Sequence, residues 1–417
     1  MTHAYDIVRI GQDGDGVAET AAGPVFVPFA LPGETWCRHD SGPFELTGSP
    51  SPARQTPPCK HFGTCGGCVA QHMDHPTYLA WKRGLVDAAF AFHRVAVPSY
   101  DLVEMAPETR RRATLTAVDT GRGIALGFHA ARSHEVVDLA MCSVMKPEMV
   151  AALGGLRTLA GVVMAARAKS GRRGKGADLR MMVSHLSGAL DIAVEDAGAA
   201  LDATARAHAA TLAARHGIQR ISIDGDVVVM RDTPRLTTSV GAIAPAPAAF
   251  FQAVEAAETV MADLVCAGVG KAKRVVDLFS GLGTFTLPLA RRARVEAVDT
   301  EARALAALTQ ATKAAQGLKP VTTRQRDLFK EPFSLMELRD FDAAVLDPPR
   351  AGAKSQVEVI AKSPLRRCVM VSCNPATLAR DARILVDGGF RLESLTAIDQ
   401  FLWTAHVEAV AVFGRGK

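Results

Sequence analysis

From about residue 236 onward, short apolar runs alternate with longer stretches whose apolar positions recur every three or four residues. The runs RVVDLF (274–279), RVEAVD (294–299), VTTRQRD (321–327), DAAVLD (342–347) and RRCVMVS (366–372) read as strands. Between and around them PAAFFQAVEAAETVMADLVCAGVG (247–270), EARALAALTQATKAAQ (301–316) and ATLARDARILVDG (376–388) read as helices. This alternation predicts a doubly wound parallel sheet, a Rossmann-like α/β domain over 236–417. The last two runs, RLESLTAID and VEAVAVF, are joined by too little chain for a helical crossover, so an antiparallel edge strand is expected to end the sheet. On periodicity alone Glu408 is a surface residue of that edge.

Upstream the texture differs. Residues 1–48 carry short strands punctuated by glycines, as in a little barrel, and 49–95 combine a Pro/Ser-rich linker with a cysteine segment and the helical pattern HPTYLAWKRGLVDAAFAF. Residues 96–235 alternate apolar and polar positions around two alanine-rich helical stretches, giving an α+β central unit with a hairpin at Asp224-Gly225. After LPGETW the stretch CRHDSGPFELTGSPS is short and poorly β-forming, so the N-terminal barrel is expected to be truncated.

Composition narrows the class. A content of 48% hydrophobic and 22% charged residues is that of a globular protein in water, and the N-terminus has charges and glycines where a secretory leader has an apolar core. A cytoplasmic location and a reducing environment are expected, with no membrane span. The net charge of +5 is too small to require a polyanion, but 167–180 carries six bases against one acid, a solvated loop or a phosphate-contacting one. Eight cysteines in such a chain point to metal or catalysis. Cys59, Cys65 and Cys68 form C-x5-C-x2-C, and Cys142 follows at a distance; four thiolates suit zinc or an iron–sulfur cluster equally. Cys37, Cys266 and Cys368 have no patterned company and read as structural.

The chemistry concentrates where strands end. DLFSGLG (277–283) is a strand followed by a glycine turn, a place for a nucleotide or simply a tight turn. Asp299, 22 residues after Asp277, ends the next strand, where a carboxylate can accept both ribose hydroxyl protons. Without a pyrophosphate fingerprint, the adenosine of S-adenosylmethionine fits better than a dinucleotide. In DPPR two prolines hold Asp347 forward, and in VSCNP a strand stops at Cys373, either a buried small hydrophobe or a nucleophile. Asp277, Asp299, Asp347 and Cys373 thus stand at successive strand ends facing one crevice. A nucleophile beside a methyl donor and a base-reading carboxylate suggests methylation at a pyrimidine carbon.

At these residues the chain resembles the RNA uracil-5-methyltransferase family, in particular its iron–sulfur branch acting on 23S ribosomal RNA. The resemblance runs from a TRAM-like N-terminus ending in LPGE through CKHFGTCGGCVAQH, GFHAARSHEVVDLAMC, FFQ, DLFSGLGTFTLPLA, DPPRAG, VSCNPATLARD and HVEAVAVF. It implies Cys373 as nucleophile and Glu408 as the base that removes the C5 proton. It implies Gln252, Phe279, Thr284, Asp299, Asp327 and Asp347 as contacts to S-adenosylmethionine. It further implies Cys59, Cys65, Cys68 and Cys142 as ligands of a 4Fe-4S cluster, read as a structural staple, in a monomer that binds RNA. With the barrel shortened, Arg110, Arg111, Arg112 and the 167–180 loop are expected to carry more of the phosphate contact. Transfer RNA is the alternative substrate, and an iron–sulfur RNA-binding protein without activity is the alternative of another class. A DNA methyltransferase shares the D-P-P element but not the SCNP cysteine.

Overall fold

The computed structural model describes residues 2–169, 178–198 and 200–416; most of the basic 167–180 stretch therefore lies outside the described residues. The C-terminal pattern builds an eight-stranded sheet from β1 (Asp101–Glu104), β2 (Arg274–Leu278), β3 (Arg294–Asp299), β4 (Val321–Gln325), β5 (Ala343–Leu346), β6 (Arg367–Ser372), β7 (Arg391–Asp399) and β8 (Glu408–Gly414). Their spatial order is β4-β3-β2-β5-β6-β8-β7-β1, with β8 alone antiparallel to its neighbours. The central strands are apolar throughout because helices cover both faces. On one face α1 (His75–Phe92), α4 (Lys354–Lys362) and α5 (Pro375–Asp387), numbered with α2 (Glu255–Val269) and α3 (Ala302–Ala314), pack Phe90, Ile360 and Leu385 against Val276, Leu346 and Met370. On the other, α2 sets Met261 and Val265 against Val345 and Val371.

Three expectations are corrected here. The antiparallel strand is not an edge: β8 inserts between β6 and β7, and the edge is closed by β1, a segment read from the sequence as opening the central unit. Residues 391–413 can reverse direction inside the sheet because β8 is buried on both sides, Glu408 included. The helix read from 247 begins only at Glu255, since Arg111 pins the preceding chain in an extended path by donating its N–H to the Ala253 carbonyl at 2.8 Å. CRHDSGPFELT is not irregular either: Thr35–His39 and Phe44–Thr47 pair as a hairpin, with Phe44 edge-on to Tyr5 at 5.7 Å and under the Arg38 guanidinium.

Elsewhere, Asp226–Met230, Ile218–Ile223, Ala189–Glu195, Leu179–Leu186, Arg112–Asp119 and Ile124–Gly127 form, in that order, a six-stranded sheet covered by helices Leu153–Lys169 and Ala203–Arg215. Two three-stranded sheets make the N-terminal part. No helix among the described residues is long and apolar enough to cross a membrane.

Helix α1 positions the reactive edge. Asp74 caps it by accepting the Thr77 N–H at 2.9 Å, and Pro76 starts its first turn. Its buried stripe is Tyr78, Trp81, Lys82, Val86 and Phe90, in which the lysine stands out. Lys82 has no exposed surface; its ammonium lies 2.7 Å from Asp399 and donates to the carbonyls of Phe401 at 3.2 Å and His406 at 2.6 Å. The Tyr78 hydroxyl donates to Asp399 and accepts the Trp403 N–H. The β7–β8 loop is therefore gripped at both ends by one charge. Substituting Lys82→Met leaves the Asp399 carboxylate buried without its cation. The expected loss is about 3–5 kcal/mol, read as a lower urea midpoint, whereas Lys82→Met combined with Asp399→Asn should recover part of it.

Candidate active site

The first half of the site is the turn after β2. Phe279 adopts φ 64° and leads into Gly281 and Gly283. A side chain at Gly283 would place its Cβ 2.4 Å from Leu308 on α3, so this turn needs glycine to lie close to the helix. The Gly281 N–H donates to one Asp299 oxygen at 2.8 Å and the Glu301 N–H to the other at 2.9 Å, locking the carboxylate at the end of β3. Thr284 is half-buried just beyond the glycines. After β4, Asp327 accepts the Phe329 N–H at 3.1 Å, and its salt bridge with Lys330 holds it below the usual carboxylate range. The exposed Phe329 ring lies 5.4 Å from Phe279, and the Arg326 N–H donates to the Asp299 carbonyl at 2.9 Å, so the two rings stand beside the adjoining ends of β3 and β4.

The second half lies at the ends of β5, β6 and β8. Asp347 follows β5, its N–H donating to the Leu278 carbonyl, and the Gln252 amide donates to its Oδ2 at 3.2 Å. Gln252 is held from the central sheet, because Arg111 also donates to its carbonyl at 3.1 Å. Arg111 itself is buried and paired with Glu258 at 2.7 Å, which corrects its expected role at phosphate. Its neighbours turn to rings: Arg112 stacks 4.4 Å over Phe250 and Arg110 6.0 Å from Phe401. Cys373 is half-buried at the end of β6, where Asn374 caps α5 by accepting the Ala376 N–H at 3.1 Å. Asn374 also donates to the Arg350 carbonyl at 3.1 Å, tying the SCNP and DPPR turns together.

The strand that sequence reading put at the edge completes the set. Ser372 pairs with Ala409 across β6 and β8, and one step further along this antiparallel register Cys373 faces Glu408. Glu408 is 3% exposed and accepts the Gln400 amide at 2.6 Å. Gln400 and Lys82 carry no motif and were not singled out; for Lys82 the readable signal was a lysine on the apolar stripe of α1.

Charge is crowded here. Burial pushes Asp277 up to about 7, although Thr286 donates to it at 2.5 Å. Asp347 keeps some surface toward the crevice yet is walled in elsewhere; burial, then Glu408, Asp277 and Asp299, raise it well above the carboxylate range. Burial likewise lifts Glu408 to about 7 against the Gln400 hydrogen bond. Cys373 is pushed up to about 11 by burial and the charges of Glu408 and Asp347, with Arg350 opposing. Buried acids of this kind favour their protonated forms, and a cation placed among them favours release of the protons. The arrangement can then offer a thiolate and a carboxylate to opposite ends of one substrate bond.

The four patterned cysteines lie apart from the crevice but near its rear wall. Cys65 bridges to Ala130, the Gly66 N–H donates to the His129 carbonyl, and the Ala140 N–H donates to His61 Nε2 at 3.1 Å. All four are free thiols. Burial raises Cys65, Cys142 and Cys68, the last to about 12, and each also responds to the charges of others in the set. Backbone N–H groups point at the sulfurs of Cys65 and Cys142. No group of three or more His, Cys, Asp or Glu side chains among the described residues is arranged to hold a metal ion.

A parallel α/β sheet with one antiparallel strand inserted near its end, and a glycine turn answered by a strand-end acid, are the marks of a methyltransferase-type α/β fold. Residues 189–415 match the model of the family described as tRNA (Uracil-5-)-methyltransferase. An uncharacterized RNA methyltransferase of Agrobacterium fabrum is 42% identical, covering 99% of both chains. The 23S rRNA (uracil(1939)-C(5))-methyltransferase RlmD of Nitrosospira multiformis is 32% identical over 100% of this chain and 99% of its own. The chain belongs to the tRNA (uracil-5-)-methyltransferase family. In fold it is similar to the Pyrococcus abyssi tRNA (uracil-54, C5)-methyltransferase, with TM-score 0.74, 21% identity, and 99% and 100% of the two chains covered.

The electrostatics predict the reactivity of the thiol in the unliganded protein. Cys373 should alkylate slowly with iodoacetamide at neutral pH and faster as pH approaches about 11. In Glu408→Gln the loss of a neighbouring negative charge should move that rise to lower pH, read by mass spectrometry of the peptide containing Cys373.

Proposed function

We propose that this protein methylates C5 of a specific uridine in 23S rRNA, with S-adenosylmethionine as methyl donor. The observation that carries the reading is Cys373 facing Glu408 across β6 and β8 with Asp347 beside them. C5 of uracil is too weakly nucleophilic to attack a methyl group unaided. Addition of the Cys373 thiolate to C6 pushes the C5–C6 electron pair into an enolate, whose C5 takes the methyl group. S-adenosylmethionine supplies that group on a positively charged sulfur. Glu408 then takes the C5 proton, the C5–C6 double bond re-forms, and the Cys373 sulfur leaves as thiolate. A uridine in folded RNA must be splayed out to reach a thiol so placed.

The crevice fits the donor. Each Asp299 oxygen accepts a single backbone N–H, which leaves lone pairs for ribose hydroxyls. Phe279, Thr284 and Asp327 border the adenine side, and Gln252 and Asp347 the methyl side. The acids also favour a sulfonium cation, so donor and thiolate assist one another. Ribosomal rather than transfer RNA is favoured by the full-length relationship to the RlmD enzyme together with the cysteine set. A cytoplasmic site of action keeps the thiols reduced.

Cys59, Cys65, Cys68 and Cys142 fit a 4Fe-4S cluster. Cys65, Cys68 and Cys142 are raised by burial and by the charges of the set, which a positively charged iron–sulfur core would relieve, and N–H donors already face two sulfurs. The cluster acts as a staple between the linker and the central sheet.

Three experiments test these readings. With methyl-labelled S-adenosylmethionine and RNA from a strain lacking the gene, label should appear at one uridine of 23S rRNA; label confined to transfer RNA overturns that substrate, and Cys373→Ala should form no covalent adduct with 5-fluorouridine RNA. Protein purified without oxygen should contain about four irons and as many acid-labile sulfides; one zinc per chain overturns the cluster.

A further inference from the structure

Behind the reacting pair lies a line of buried side chains that the mechanism above does not use. Gln400, 1% exposed, is the first residue after β7 and sits in the loop gripped by Lys82. Its amide nitrogen donates to Glu408 Oε2 at 2.6 Å and to Gln252 Oε1 at 3.1 Å. Gln252 in turn donates to Asp347 Oδ2 at 3.2 Å. Both amides are thus oriented by carboxylates at the two ends of the chain Asp347–Gln252–Gln400–Glu408. Reversing Gln400 would set its carbonyl against the Glu408 oxygen, so its direction is determined by the site.

The Gln400 carbonyl oxygen, moreover, is buried without a partner. A stranded acceptor of this kind is unfavourable, and a fold without a further use for the side chain would avoid it by placing an apolar residue there. The backbone of Gln400 has little freedom to relieve it, because Asp399 before it is ion-paired to Lys82 and the Phe401 carbonyl after it accepts from the same ammonium. Gln400 is held so that its amide N–H meets Glu408, at the expense of its carbonyl.

We propose that Gln400 is the positioning residue for Glu408: its amide fixes the orientation of the carboxyl toward C5 and favours the anionic form that accepts the proton. This rests on Glu408 acting as the base. When Glu408 takes the C5 proton, the electron pair of that C–H bond re-forms C5=C6 and the Cys373–C6 bond breaks, with the thiolate carrying off its pair. A carboxyl that is mis-aimed or already protonated stalls at this step and leaves the methylated RNA attached to the enzyme, after methyl transfer has occurred.

The groups facing Glu408 set the sign of the pH effect. Asp347 at the end of β5 and Cys373 at the end of β6 both feel the charge of Glu408, and Asp277 and Asp299 also act on Asp347. Arg350 beyond Cys373 and Lys82 with Asp399 behind the loop complete the charged surroundings. Among the described residues Gln400 is the hydrogen-bond donor to the carboxylate, and it favours the charged form. Its removal therefore raises the pH at which Glu408 loses its proton, and proton abstraction, which needs the carboxylate, weakens first on the acid side.

The test is a single-turnover reaction of the whole enzyme with labelled S-adenosylmethionine and unmodified substrate RNA, following methylated covalent adduct and released product across pH. Gln400→Met should accumulate adduct and release product roughly tenfold more slowly at pH 7, with the acid limb of release moved up by about one unit. Gln400→Glu, matched in shape, should move the limb further, and it serves where the methionine variant does not fold. Both should bind S-adenosylmethionine with unchanged Kd. Glu408→Gln supplies the separate check on the base: it should trap the adduct at every pH. If Glu408→Gln releases product normally, the assignment of the base fails. If it traps adduct while both Gln400 variants release product at the wild-type rate, or slow it equally at all pH, the positioning role fails and the base stands.

Discussion

One ammonium group inside the protein decides the shape of the reactive edge. Lys82 has no contact with water, and a lone buried charge costs several kcal/mol unless its partners are held in place. Those partners are a carboxylate and two carbonyls of one loop, between β7 and β8. Satisfying the charge and placing the start of β8 are therefore the same event. The loop cannot drift without stranding the lysine, and Glu408 cannot move without the loop. A loop solvated by water would impose no such condition, since water re-forms its hydrogen bonds wherever the chain goes. Tyr78 makes the grip directional by bonding Asp399 and the Trp403 N–H at once.

The crevice is built on the opposite principle. Lys82 is matched by nearby acceptors, whereas Asp277, Asp347 and Glu408 are buried with amides and a hydroxyl as their partners. Arg350 at the lip opposes their effect on Cys373 without cancelling it. Compensated charge keeps a shape, and under-compensated charge stores reactivity. Burial favours the neutral form of each acid, which limits their mutual repulsion. The same acids would give their protons up to a cationic ligand. That coupling ties the charge state of the crevice to what is bound in it.

Much of this was legible in the residues, and the gaps have physical causes. Alternation of apolar runs with helical periodicity foretold the parallel sheet because strands covered on both faces leave continuous apolar stretches, as AAVL and CVMVS do. Strand order is another matter. Nothing in VEAVAVF says which neighbours it will pair with, so the insertion of β8 between β6 and β7 was invisible, and Glu408 read as an edge residue. The start of α2 was misplaced because 247–254 has helical composition; what keeps it extended is Arg111, distant in sequence. The same arginine, counted in a basic cluster, is spent inside the protein. Gln400 had no signal at all, since a glutamine after a strand is ordinary until its partners are known.

The cysteine segment and the base loop, far apart in sequence, are neighbours in the fold. The N–H groups of Val69 and Ala70, just after Cys68, both donate to the Trp403 carbonyl, at 2.8 and 3.3 Å. Leu402, Trp403 and Ala405 pack on Met73, Tyr78 and Trp81. On its other side the segment is bonded to residues 129–140 of the central unit. Residues 59–73 contain no helix or strand of their own, so few backbone bonds within the segment set its path. Whatever fixes the four thiols therefore limits how far Val69, Ala70 and Trp403 can wander. A group bound there would act on the geometry of Gln400 and Glu408 through backbone hydrogen bonds, with no contact to the substrate. This gives a staple a local effect as well as a global one: the loop held at its ends by Lys82 is held at its middle by the chain that carries the cysteines.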